Sequence, residues 1–147
     1  VGLAASLFAG SAEVVLTDKA EMLPLLKQNI EVNGLVDRCR SEELFWGDIA
    51  QLETLGKFDV ILAADVVYPT KDPSILFGLR DTLLELCSNP STCLVLAYKP
   101  RAKEDQEFMA EHLIPHFDHT SEDLPPSSPN ADDACTVYVC CRRQQQQ

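Results

Sequence analysis

Residues 58–68 read Phe58-Asp59-Val60-Ile61-Leu62-Ala63-Ala64-Asp65-Val66-Val67-Tyr68, an apolar run that stops at an acid and, three residues later, at a tyrosine. Apolar residues in succession, without polar alternation, are what a strand covered on both faces by helices requires. The run therefore predicts a parallel sheet of an α/β fold. Ligands of such folds bind beyond the carboxyl ends of the strands, which puts Asp65 and Tyr68 where chemistry is expected. An aspartate at that place also serves to cap the segment that follows it.

Two further stretches repeat the pattern. Glu13-Val14-Val15-Leu16-Thr17-Asp18 and Glu43-Leu44-Phe45-Trp46-Gly47-Asp48 each read as a short strand followed at once by aspartate. If the three strands are parallel, Asp18, Asp48 and Asp65 lie along one edge of one sheet.

Composition bounds the rest. The chain has 147 residues, 46% hydrophobic and 24% charged, the balance of one soluble domain able to bury a core. No apolar stretch approaches the length of about 18 residues that a membrane helix needs, and the start has no basic leader region. A cytoplasmic location is expected, the nucleus or an organelle interior being the other compartments open to such a chain. The net charge of -11 disfavours a surface built to neutralise phosphates and suits a basic protein segment as partner. Nucleic acid is not expected as a substrate.

Six cysteines (Cys39, Cys87, Cys93, Cys135, Cys140 and Cys141) lack metal-type pair spacing, and several fall in expected strands, so they read as buried, reduced thiols. His112 and His116 have the i, i+4 spacing of helix-borne ligands. Pro115 interrupts that helix and no acid or thiol partners them at ligand spacing. They read as residues of a helix end, with His119 beyond, and no metal site is expected.

In chain order, 1–10 predicts a small-residue helix ending at Gly10, 13–17 a strand, and 20–33 a helix with Leu23, Leu26 and Ile30 as its apolar stripe. Then come a strand at 42–46, a polar connection at 51–56 and the strand at 58–64. A turn from Pro69 to Pro73 leads into a helix over 74–87, followed by a strand at 93–98, a helix at 103–114, a strand near 116–122, a Pro-rich loop at 124–129 and a strand at 136–141. The last two strands form an antiparallel hairpin. Residues 1–143 make one domain, and the Gln144–Gln147 tail is low-complexity and expected to be disordered.

Taken together, Val14 to Asp18, Leu25-Leu26-Lys27-Gln28-Asn29, Phe45 to Asp48, Asp59 to Tyr68 and Leu96-Ala97-Tyr98-Lys99 resemble, in order and spacing, the seven-β-strand S-adenosylmethionine-dependent methyltransferases. The resemblance is to the protein-lysine methyltransferase-like branch, marked by Asp-x-x-Tyr after the fourth strand, here Asp65-Val66-Val67-Tyr68. It implies a Rossmann-like, doubly wound, mostly parallel sheet with the antiparallel hairpin at its C-terminal end, covering about 1–142.

The resemblance also implies roles. Asp18 matches the acid that accepts the ribose hydroxyls of S-adenosylmethionine, Trp46 and Asp48 would take the adenine, and the small Ala64 would let backbone approach the cofactor. Asp65 would orient the substrate amine and Tyr68 would wall its channel, the transfer being an in-line displacement in which positioning does most of the work. A lysine, with a pKa near about 10.4, must reach the methyl group neutral, so an apolar channel is needed. The acid also tends to hold the amine protonated, which puts orientation ahead of base catalysis in Asp65's role.

One departure accompanies these agreements. The family's first strand and glycine-rich loop should precede Val1, and Val1-Gly2-Leu3-Ala4 corresponds only to the loop's trailing edge. The chain is accordingly expected to be an N-terminally truncated piece whose strands at 13–17 and 42–46 are unpaired with the others, and which binds cofactor poorly as written. Two other functions fit parts of the sequence. Asp18 would serve a nicotinamide ribose equally well, as in an oxidoreductase, although no hydride-transfer site is recognisable. A methyltransferase fold that has lost its cofactor would act as a non-catalytic interaction domain. The substrate, its target residue and the oligomeric state have no motif.

Overall fold

The computed structural model describes residues 1–8, 10, 12–126, 128 and 134–143. It divides into two compact units, one within Val1–Leu55 and the other from Gly56 onward.

In the first unit a helix, α1 (Gly2–Phe8), precedes strand β1 (Val14–Asp18). A 3-10 turn at Ala20–Met22 leads into α2 (Leu23–Val32), which runs to β2 (Cys39–Glu43). β1 and β2 pair in parallel, Val14 opposite Cys39 and Asp18 opposite Glu43, so the segment is a βαβ crossover. Its core is Ile30, Leu35 and Cys39, with Leu3, Val14 and Leu16 packed on them. α1 lies so close to β1 that a Cβ at Gly2 would collide with the Leu16 side chain.

Two expectations for this unit change. The strand expected at 42–46 sits three residues earlier, because Cys39 is the side chain that reaches the core, while Trp46 and Gly47 form a turn with Gly47 at φ 94°. Apolar content misplaced it. The strand's own residues, Arg40 to Glu43, are polar, and Arg40 pairs with Glu13 and Glu42 at the surface. The connection expected at 51–56 is a helix, α3 (Ile49–Leu55), which buries Leu52 and Leu55 one turn apart.

The second unit holds a four-stranded mixed sheet in the order β3-β4-β6-β5. β3 (Val60–Ala64) and β4 (Cys93–Tyr98) are parallel and joined by α4 (Pro73–Leu86). α5 (Lys103–Glu107) continues as one π-helical stretch, Phe108–Leu113, and a 3-10 turn, where a single regular helix over 103–114 was expected. β5 (Phe117–Leu124) and β6 (Cys135–Arg142) form the expected antiparallel hairpin, with β6 laid antiparallel on β4. Leu79 and Leu83 of α4, Leu94 and Leu96 of β4, Leu113, Phe117 and Cys140 are almost wholly buried. At about 25 cal/mol per Å² of apolar surface, side chains of this size each contribute about 2 kcal/mol.

β3 departs from the expectation in one respect. It is the edge strand of its sheet, and Val60 and Leu62 are about half exposed while Ala63 is buried. An apolar run covered on both faces was expected from sequence. Here one face of the run is open. The fold class stands as expected: α/β, Rossmann-like, parallel strands joined by helices and an antiparallel hairpin at the C-terminal end.

All six cysteines are free thiols. Cys39, Cys87 and Cys140 are buried as expected, Cys93 and Cys135 are half-buried, and Cys141 is exposed because alternation along β6 turns it away from the face that buries Cys140. The Gln144–Gln147 tail, and residues 127 and 129 of the Pro-rich loop, lie outside the described residues.

Candidate functional site

β3 ends at Ala64, opposite Ala97 of β4, and the Asp65 N–H adds one more rung by donating to the Ala97 carbonyl at 3.0 Å. Asp65 then turns into the left-handed region, φ 59°, the only non-glycine residue among those described to do so. Aspartate tolerates that conformation better than most L-residues, and the turn takes the chain off the sheet. The exposed carboxylate meets the Arg101 guanidinium, whose Nη2 donates to Oδ1 at 2.7 Å and Oδ2 at 2.6 Å.

Asp65 does not cap the next helix. That task falls to Asp72, whose Oδ1 accepts from the Ser74 N–H at 3.0 Å and the Ser74 hydroxyl at 2.6 Å, with Pro73 at the first helical position. These bonds hold the Asp72 carboxyl below the usual range. Asp65 is thereby left to other work, and Tyr68 sits half-buried between the two acids in the loop that joins β3 to α4.

Arg101 owes its place to a buried acid. Asp105 is fully buried; its Oδ1 accepts from the Tyr98 hydroxyl (3.1 Å) and the Ala102 N–H (3.1 Å), and its Oδ2 from the Arg101 N–H (3.0 Å). Two backbone donors and a phenol satisfy a carboxylate that would otherwise be costly to bury. Burial and the Asp105 carboxylate push the Tyr98 phenol well above its ordinary value, so it stays a donor. The chain from Tyr98 to Ala102 is thus pinned where β4 ends, and Arg101 projects to Asp65.

In the first unit, Asp18 ends β1 with its side chain exposed, and its Oδ1 accepts from the Lys19 N–H at 2.8 Å. The Asp18 carbonyl accepts from the Leu44 N–H at 2.9 Å, which brings the start of the 44–48 segment beside it. Asp48 caps α3 through Oδ1, accepting from the Gln51 N–H at 3.2 Å, while the Gln51 side chain returns to the Phe45 N–H at 2.7 Å. Trp46 is half-buried in the turn between them.

The six residues expected at the site fall three to a unit: Asp18, Trp46 and Asp48 in the first, Ala64, Asp65 and Tyr68 in the second. Asp18 ends β1 and Trp46 and Asp48 follow β2 at the start of α3, while Ala64, Asp65 and Tyr68 share the end of β3 and the loop after it. The three acids expected along one sheet edge are divided between two separate sheets. Sequence reasoning missed Arg101 and Asp105. The Lys99-Pro100-Arg101 strand end was visible, but the partner of Arg101 is 36 residues away. Among the described residues no group of three or more His, Cys, Asp or Glu is placed to hold a metal; His112 instead stacks edge-on to Phe77, ring centroids 5.2 Å apart.

A family model described as lysine methyltransferase matches residues 1–113. The protein N-lysine methyltransferase METTL21A of Mus musculus is 37% identical over 112 residues, covering 74% of this chain and 49% of that protein. The protein-lysine N-methyltransferase EFM6 of Saccharomyces cerevisiae is 34% identical over 111 residues, covering 69% and 44%. This chain spans about half the length of the curated relatives it matches. Among solved structures, TrmN from Thermus thermophilus superposes with a TM-score of 0.68 at 19% identity, covering 95% of this chain and 39% of that one, a likeness of fold.

Proposed function

The chain belongs to the lysine methyltransferase family, and on that premise we propose that the protein transfers a methyl group from S-adenosylmethionine to a lysine side chain of a protein substrate. The observation that carries the proposal is Asp65-x-x-Tyr68 at the carboxyl end of β3, inside the matched segment and anchored by Arg101.

The residues of the first unit fit the cofactor's donor and acceptor groups. Asp18 has an exposed carboxylate at a strand end, suited to two neighbouring ribose hydroxyls. Trp46 offers a half-buried aromatic face for adenine, and Asp48 keeps acceptor capacity beyond the oxygen that caps α3. Ala64, without a bulky side chain, allows close approach of backbone. S-adenosylmethionine, when bound, supplies an electrophilic methyl group on a sulfonium. Asp65 orients the incoming amine and Tyr68 walls its path, while Arg101 holds the Asp65 carboxylate in one orientation by donating to both oxygens.

A substrate segment rich in Lys and Arg suits the net charge of -11. A cytoplasmic location belongs to the same proposal, supported by cysteine spacing without a disulfide framework in the sequence. The test is calorimetric titration of S-adenosylmethionine and, separately, NAD, followed by mass mapping of methyl groups on a lysine-rich protein mixture. S-adenosylmethionine binding with methyl-lysine formation supports the proposal. Binding of NAD in its place, or of neither ligand by the folded full-length protein, overturns it in favour of an oxidoreductase or a non-catalytic interaction domain.

A further inference from the structure

Five of the six cysteines lie in the second unit, and two of them face each other. Cys93 opens β4 and is in register with Cys141 of β6, the antiparallel neighbour. The other cysteines are differently placed: Cys140 stands opposite Leu94 and Cys135 opposite Leu124, while Cys87 ends α4, outside the strands.

The type of ladder pair follows from the hydrogen bonds of β4. The Cys93 N–H donates to the Asp59 carbonyl at 2.9 Å, and the Ala97 carbonyl accepts from the Asp65 N–H at 3.0 Å. Both bonds point toward β3. The odd-numbered residues of β4 therefore direct their backbone groups away from β6, which makes Cys93 and Cys141 a non-hydrogen-bonded pair. Such pairs bring Cα atoms to about 4.5 Å and side chains closer than the alternate kind. A disulfide spans Cα separations of about 4.4–6.8 Å. The two side chains also share a sheet face, since directly opposed residues do.

Access distinguishes this pair as well. Cys141 is exposed and Cys93 half-buried, whereas Cys87 and Cys140 are buried, with thiols pushed up to about 11 and about 12 chiefly by that burial. Cys140 and Cys141 are sequence neighbours but point to opposite faces of β6.

We propose that Cys93 and Cys141 are a modification site: a thiol pair that a peroxide closes into a cross-strand disulfide. One thiolate sulfur attacks a peroxide oxygen; the O–O bond breaks, a sulfenic acid forms and hydroxide leaves, taking up the proton that the thiol released to become water. The second thiolate attacks that sulfur, the S–S bond forms, and the S–O bond breaks to release hydroxide, protonated to water. Two thiols and one hydrogen peroxide give one disulfide and two waters. The link ties the start of β4 to the end of β6, closing a loop that contains Tyr98, Arg101 and Asp105 while leaving Asp65 uncovered.

The full chain, reduced and freed of reductant, is treated with hydrogen peroxide, and thiols are mapped by alkylation and mass spectrometry without reduction. Cys93 and Cys141 should lose alkylation at least about tenfold faster than Cys87 and Cys140 and appear as one linked pair. Dithiothreitol should reverse the link, and the oxidised chain should melt several degrees higher. Cys93→Ser and Cys141→Ser should each abolish the link, and Cys135→Ser should leave it. Linkage through Cys135 or Cys140, linkage only between chains, or oxidation that stops short of a disulfide in the unmutated protein overturns the proposal.

Discussion

Arg101 places one guanidinium nitrogen 2.7 Å from Oδ1 and 2.6 Å from Oδ2 of Asp65, joining the carboxyl ends of two parallel neighbours, β3 and β4, across 36 residues of sequence. Both side chains are around half exposed, so the pair is worth no more than about 1 kcal/mol to folding. Its consequence is orientation of the carboxylate.

Arg101→Ala should therefore change stability by less than about 1 kcal/mol yet lower methyl transfer about ten- to a hundredfold, with S-adenosylmethionine affinity unchanged. Steady-state kinetics and calorimetry on one preparation separate these effects. An unchanged kcat would remove Arg101 from the site. Asp65→Asn is the companion variant, because asparagine also accepts the left-handed backbone that alanine would strain.

Asp105→Ala leaves the Tyr98 hydroxyl and two backbone N–H groups without their acceptor in a buried setting. A loss of about 3 kcal/mol is expected, against about 1 kcal/mol for Asp105→Asn, which keeps one acceptor oxygen. Urea unfolding measures both. Equal, small losses would show that the Tyr98–Ala102 segment is held by other contacts.

In the full-length protein, Asp18→Ala should weaken S-adenosylmethionine binding by about 1.5 to 3 kcal/mol, the value of a charged hydrogen bond, or roughly ten- to a hundred-and-fiftyfold in Kd. Tyr68→Ala should instead reduce turnover more than cofactor affinity. The opposite pattern for either residue would exchange the roles assigned to them.

Partial desolvation of the largely exposed His116 ring, with the positive charges of Arg142 and Arg80, holds it below its ordinary value of 6.5, against a smaller upward pull from Asp81. The folded value is the lower one, so the unfolded chain binds more protons as the solution acidifies. This contribution is complete above about pH 6.5 and lost as pH falls through the folded value. Thermal melts at about pH 7.5 and 5.5 should show a larger decline for the unmutated chain than for His116→Asn. Parallel declines would mean that His116 titrates alike in both states.

Local pattern carried much of the fold. Cys93 to Tyr98 is an unbroken apolar run, and Leu23, Leu26 and Ile30 recur at helical spacing, so short-range hydrophobic pattern placed β4 and α2. Asp18 and Asp65 were legible for the same reason, since where an apolar run stops the next polar residue faces solvent; Asp48 was expected at a strand end too, but β2 ends at Glu43 and Asp48 caps α3. Periodicity failed at Leu44-Phe45-Trp46, where an apolar cluster belongs to a turn and the true strand is polar.

What tertiary structure alone decided is which distant groups meet. Nothing near Arg101 in sequence marks it as a partner of Asp65, nothing near Cys93 announces Cys141, and nothing in the apolar run of β3 shows that the face carrying Val60 and Leu62 is left open. Side-chain type and spacing determine which face of an element is apolar. Register and strand order, set by contacts many residues apart, determine which neighbour that face receives.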